Sequence, residues 1–180
     1  AWLRTKAAVP LARFQQDLKK RGYGLRIFDA YRPRRATLAM LAWAKRSGNY
    51  WQVTRGYISP TSSHNKGAAV DLTLISLKTG KPLDMGTAYD SASPRSHTLN
   101  SKGAVLKRRL ILKKAMERHG FRNFRKEWWH YNFKRLKNPK PRDVPYGCFE
   151  PGEGDFKPPA GWQKPSYKPP LAFSKTLPCT

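Results

Sequence analysis

Leu11, Phe14 and Leu18 recur at helical spacing in "VPLARFQQDLKKR", residues 9–21, and give that stretch one apolar face, with Pro10 tolerated in its first turn. After a "GYG" break, "LRIFDAY" alternates as a strand does. "RPRRATLAMLAWAKR" returns to a helical pattern that Pro33 can start and "SGN" should end. Residues 68–75, "AAVDLTLI", read as a half-buried strand, and from 76 to 100 turn formers dominate, which predicts a long loop. "KGAVLKRRLILKKAMERHG" has the period and length of a helix, with Val105, Leu106, Leu112 and Met116 facing inward, basic residues toward its end and Gly120 as its stop. "FRNF" and "WWHYNF" follow as the strands of a closing hairpin.

Helix and strand alternate, but the adjacent short strands near the C-terminal end favour an α+β fold over a doubly wound one: a single domain with a small, mostly antiparallel sheet flanked by helices. That domain is expected over residues 1–137. Residues 138–180 carry most of the 15 prolines and should form an irregular or polyproline-like extension, packed on the domain through Trp162, Tyr167 and Phe173. There is no internal repeat, and no Gly-rich phosphate loop follows a strand, which argues against a nucleotide enzyme.

Charge changes the picture of partners. Lys and Arg number 36 against 11 Asp and Glu, a formal charge of +25, which implies attraction to a polyanion: nucleic acid, an anionic membrane or anionic cell-envelope polymers. The basic residues are spread along the chain and match no nucleic-acid module, so no specific nucleic-acid partner is expected. The sequence has no apolar run of about 18 residues, the length needed to cross a membrane. The opening "AWLRTK" has neither an initiator methionine nor a signal peptide, as in a processed or shortened chain. Cys148 and Cys179 lack metal-ligand spacing. Paired, they would tie down the extension by roughly 3 to 4 kcal/mol and imply an oxidising, periplasmic or secreted location. Unpaired, they suit the cytoplasm.

Candidate chemistry concentrates around two histidines. In "SSHNKGAAVDLTL", residues 62–74, His64 and Asp71 flank Gly67 just where the apolar alternation begins. Of the others, His119 at a helix end suits the helix dipole and needs no further role. His130 follows Glu127 by three residues in "EWWH", among aromatics that lower the local dielectric. Two histidines and a carboxylate make a zinc site with one open position, as a hydrolase needs to acidify a water. His64, Asp71 and His130 can supply it, one ion per chain. Glu127 can then act as general base and acid. Residues three apart face opposite sides of a flat strand, so Glu127 must sit on a turn or bulge leading into the strand of His130.

These residues resemble a known family. "SSHNKGAAVD" fits the SxHxxGxAxD pattern of the M15 zinc peptidases and "EWWHY" fits their ExxH element, while "GLRIFDAYRPRRA", "LDMGTAYD" and "RSH" resemble, in order, further stretches of the D-alanyl-D-alanine dipeptidases. The resemblance covers roughly residues 2–135. It implies zinc at His64, Asp71 and His130, Glu127 as base and acid, and Arg32 as the partner of the oxyanion, a type of contact that contributes several kcal/mol. It further implies that Asp90 holds the substrate's ammonium and that Ser62 positions the substrate. Asp29, Tyr31 and Asp84 read as anchors of loops, and His97 as a candidate for orienting a ligand or the substrate loop. The implied activity is hydrolysis of D-Ala-D-Ala.

The chain departs from that pattern in three ways. The stretch between Arg32 and His64 is short, which opens a D,D-carboxypeptidase or endopeptidase acting on peptidoglycan-derived stem peptides as an alternative. A segment that closes over the substrate in relatives has no counterpart before the first helix. The basic charge and Pro-rich extension suggest work near anionic envelope polymers. A non-catalytic zinc-binding module, as in the similar hedgehog domains, is a further alternative, against which Glu127 and Arg32 speak. A protein that coats nucleic acid is the last.

Overall fold

The described residues, 1–146 of this computed structural model, run α1 (Thr5–Lys19), β1 (Tyr23–Asp29), α2 (Arg34–Arg46), α3 (Trp51–Thr54), a 3-10 turn (Ser63–Lys66), β2 (Ala69–Ser76), a second 3-10 turn (Pro94–Ser96), α4 (Gly103–Arg118), β3 (Phe121–Asn123) and β4 (His130–Phe133). The strands form one sheet in the order β1-β2-β4-β3, with every neighbouring pair antiparallel. The α+β expectation holds. β3 and β4 are the closing hairpin, and the long stretch after β2 is a loop with a single 3-10 turn.

α1 begins four residues before the expected start. Ala7 is fully buried four positions before Leu11 and extends the apolar face backward, and the Arg4 carbonyl accepts the Ala7 and Ala8 amides at 2.7 and 2.9 Å. Pro10 therefore lies inside the helix rather than in its first turn. Lacking an N–H, it leaves the Lys6 carbonyl without its usual intrahelical donor.

β2 alternates across the sheet. Val70, Leu72 and Leu74 enter a core with Leu11, Phe14 and Leu18 of α1, Leu112 and Met116 of α4, and Tyr131 and Phe133 of β4. Each such fully buried side chain is worth roughly 1.5–3 kcal/mol. Asp71 alternates to the other face. On α4 the inward stripe holds Leu112 and Met116 as expected, but it also holds Arg109, 1% exposed, while Val105 and Leu106 are half-buried. Arg109 donates to the carbonyls of Met85 (2.8 Å), His97 (2.8 Å) and Arg95 (3.1 Å), and so fastens the loop after β2 to the helix.

One compact unit spans Ala1–Asp143. It reaches past residue 137 because the Arg142 amide donates to the Asn65 carbonyl at 2.7 Å, the Arg34 amide donates to the Arg142 carbonyl at 3.1 Å, and Arg35 pairs with Asp143. The expected Cys148–Cys179 pairing and the packing of Trp162, Tyr167 and Phe173 lie outside the described residues. No helix among the described residues is long and apolar enough to cross a membrane.

Candidate active site

Strand register assembles the first half of the site. Asp71 of β2 pairs with His130 of β4 on one side and with Asp29 of β1 on the other, so three polar side chains share one face across three strands. Asp29 gets there by an irregularity. Ile27 pairs with Leu72, and without the register shift between Ile27 and Asp29 the two residues of β1 would face the same way. The extra residue, Phe28, re-aims Asp29 toward the site.

A tight turn brings His64 to the same place. Ser62 caps the 3-10 turn by accepting the His64 amide on Oγ at 3.3 Å, and Gly67 ends it at φ 59°, where a Cβ would meet the Arg4 backbone nitrogen at 3.4 Å. Asn65, buried, donates to the Arg32 carbonyl at 2.8 Å and to Thr37 Oγ1 at 2.9 Å, and the Arg32 amide donates to the His64 carbonyl at 3.1 Å. The turn of His64 and the segment of Arg32 are thus one bonded body.

Both imidazoles have their tautomers set from outside. His64 Nδ1–H donates to the Ala30 carbonyl at 2.6 Å, and His130 Nε2–H donates to Asn132 Oδ1 at 3.2 Å. The remaining nitrogens, His64 Nε2 and His130 Nδ1, then face each other at 3.1 Å with Asp71 Oδ1 at 3.4 and 2.9 Å. Three acceptors converge with both ring protons already spent. This donor set, with all ligand atoms within 4.8 Å of one another, fits a small divalent cation of the zinc type. Electrostatics agree. Burial opposes a charge on His64, yet Asp71 and Asp29 outweigh it and raise its pKa, so a second proton can stand where a cation would. Burial likewise works against an ionised Asp71, but the two imidazoles hold it far below the usual carboxylate range.

Glu127 lies in the turn between β3 and β4, as its spacing from His130 required. Its Oε2 is 3.8 Å from His130 Nδ1. Asn123 clamps that turn by donating to the carbonyls of Glu127 (3.0 Å) and His130 (3.1 Å), and it accepts from Thr98 Oγ1 at 2.6 Å. Burial above all, with the charges of Asp71 and Asp90, pushes the Glu127 carboxyl up to about 7 against the pull of His130 and Arg32. Arg32 donates from Nε to Asp29 Oδ2 at 3.0 Å and also from Nη2, leaving Nη1 without a protein partner among the described residues. Asp29 Oδ1 accepts the Ala30 amide at 2.7 Å, so this carboxylate anchors its loop as expected.

Asp90 stands at the rim in a left-handed conformation, φ 62°. Water reaches it, but the protein around it and the charge of Asp71 raise its pKa. Its neighbour Tyr89 donates to Asp71 Oδ2 at 3.2 Å, stacks on Phe28 at 4.3 Å and meets Trp129 edge-on at 5.6 Å. His97 is not among the converging groups; its Nε2 bonds the Tyr57 hydroxyl at 3.1 Å. His119 bonds the Ala115 carbonyl at 2.9 Å and Asp17 Oδ2 at 3.1 Å at the end of α4, a structural role. Asp84 accepts the Gly86 amide at 2.8 Å and anchors its loop. Sequence reading passed over Asn65, Tyr89, Asn123 and Asn132. Only Asn132 had a signal, two residues after His130 on the same strand face.

The profile of the peptidase M15 family, described as D-ala-D-ala dipeptidase, matches residues 2–148. The chain is 38% identical over 154 residues to the D-alanyl-D-alanine dipeptidase of Enterococcus faecalis, an alignment covering 76% of this chain and 75% of that protein. It is 34% identical over 150 residues to the D-alanyl-D-alanine dipeptidase of Escherichia coli, covering 82% and 74%, and 34% identical over 151 residues to that of Streptomyces coelicolor, covering 75% of each.

Proposed function

The chain belongs to the peptidase M15 family of D-Ala-D-Ala dipeptidases, and on that basis we propose that it is a zinc-dependent D,D-dipeptidase whose substrate is D-Ala-D-Ala. His64 Nε2, His130 Nδ1 and Asp71 would hold the zinc. When bound, it supplies Lewis acidity toward the substrate carbonyl and the attacking water. Glu127 takes the proton from that water and returns it to the leaving amine. Burial of its carboxyl favours the protonated form once the proton has been taken up, as a group that must take and then return a proton requires. Arg32, held by Asp29, turns its remaining N–H groups to the developing oxyanion. Asp90 receives the ammonium of the dipeptide, and Ser62, whose oxygen is engaged by the His64 amide, keeps its O–H to position the substrate. A periplasmic or secreted location is part of this proposal, with the cytoplasm as its alternative.

The observation that carries the reading is the convergence of two imidazoles and a carboxylate with a base of raised pKa beside them. A second reading, trimming of stem peptides, draws on the short connection between Arg32 and His64. Offering zinc-loaded protein D-Ala-D-Ala and a pentapeptide stem together, with mass-spectrometric detection, separates the two. Cleavage of the dipeptide alone is the expected result; trimming of the stem would replace the dipeptidase reading with the carboxypeptidase one.

A further inference from the structure

The register of β2 aims Asp71 at the site but does not set the rotation of its carboxylate, because the last torsion of an aspartate is soft. Neutral imidazoles do not set it either. With the ring protons of His64 and His130 spent on the Ala30 carbonyl and Asn132, the nitrogens that face Asp71 Oδ1 are acceptors, as the carboxylate oxygens are. A donor on the far oxygen is needed to hold Oδ1 toward them. The Tyr89 hydroxyl supplies it, 3.2 Å from Oδ2.

The ring that carries this hydroxyl is gripped by neighbours of the site residues. Phe28, the extra residue of the β1 irregularity and next to Asp29, stacks on it at 4.3 Å and 17°; Trp129, next to His130, meets it edge-on at 5.6 Å and 76°. Two residues before Tyr89, Thr87 Oγ1 accepts the Trp128 indole N–H at 2.8 Å. One residue after it, Asp90 takes its left-handed conformation, which a residue other than glycine keeps only where its surroundings hold it. Packing asks for the ring alone, and a phenylalanine would fill the same space. The hydroxyl serves Asp71.

We propose that Tyr89 is a positioning residue: by holding Oδ2 it fixes the Asp71 carboxylate so that Oδ1 is offered to the metal beside His64 Nε2 and His130 Nδ1. The role rests on the zinc reading above and deepens it. Because the hydroxyl touches a ligand of the metal and not the substrate, its loss acts first on metal binding and only through that on turnover.

The test compares Tyr89→Phe with the parent, both as the full chain, loaded with zinc or with cobalt(II), whose visible absorption reports the ligands around it. Tyr89→Phe should hold zinc about 10–100-fold more weakly in competition with a chelator, the usual effect of removing the partner of a metal ligand. At saturating cobalt its visible spectrum should differ from that of the parent. At saturating zinc, kcat for D-Ala-D-Ala should fall more than KM rises. Parental zinc affinity or a parental cobalt spectrum would overturn the proposal, as would a raised KM at parental kcat, which would make Tyr89 a wall of the substrate site. A parent that binds zinc yet leaves the dipeptide whole would count against the enzymatic reading alone, with the two metal readouts still deciding the role of Tyr89. A parent that takes up neither metal would overturn both.

Discussion

Asn132 does for His130 what the Ala30 carbonyl does for His64: each accepts the outward ring proton and leaves the inward nitrogen free to hold a metal. Removing such an outer partner costs about 10–100-fold in metal affinity. Asn132→Ala should therefore weaken zinc binding, measured by competition with a chelator, by roughly that factor, with the melting temperature of the metal-free protein nearly unchanged. Unaltered affinity would mean that His130 is oriented by its strand alone. Tyr131 is a different case. It is fully buried on the core face, and its hydroxyl has no partner among the described residues. Burying an unpaired hydroxyl costs about 1–3 kcal/mol, so Tyr131→Phe should be neutral or stabilising in chemical denaturation. At this scale the candidate site was legible because His64, Asp71, His130 and Glu127, which the structure brings together, carry chemistry in their identity. Asn65, Asn123 and Asn132 were not, because an amide serves turns and surfaces everywhere and only tertiary contact gives these three their partners.

At the scale of elements, the loop between β2 and α4 carries Tyr89 and Asp90 to the site, and Arg109 keeps it there through three carbonyls. Arg109→Lys would keep the charge but lose the planar fork, stranding carbonyls at about 1–3 kcal/mol apiece. The expected outcome is a loss of stability of at least about 2 kcal/mol, with KM raised more than kcat is lowered, since the loop holds groups expected to bind substrate. The same loop leans on Gly86, at φ 83°, where a Cβ would come within 2.7 Å of Val105 Cγ1. Gly86→Ala should thus cost more than about 1 kcal/mol, read by urea denaturation. The α4 pattern misled in one respect. Arg109 sits at core spacing with Leu112 and Met116, and a charge on an apolar stripe reads as a surface residue until the carbonyls of a distant loop are seen around it. Likewise, the bulge that turns Asp29 toward Asp71 has no sequence marker of its own: "RIFDA" reads as plain alternation.

For the molecule as a whole, element order and type were legible from periodicity and turn residues, as was the antiparallel closing hairpin, because those signals are local. The strand order β1-β2-β4-β3 was not, since β2 pairs with strands about 50 residues before it and 60 after it, which no local pattern records. This non-local pairing is also what builds the site, so metal binding should be linked to global stability. Zinc bound only by the folded chain, at a thousandfold above its Kd, adds about 4 kcal/mol. Chelation should accordingly lower the melting temperature of the parent and leave that of His64→Ala nearly unmoved in calorimetry. The central claim, that His64, Asp71 and His130 hold a zinc ion for a reaction in which Glu127 moves the proton, is tested most directly by comparing the parent with Glu127→Gln. Zinc content and D-Ala-D-Ala hydrolysis would be measured on the same preparations. The account predicts one zinc per chain in both, with hydrolysis by the variant reduced about 10²–10⁴-fold. Hydrolysis at the parental rate by Glu127→Gln, or a zinc-loaded parent that leaves the dipeptide intact, would contradict it.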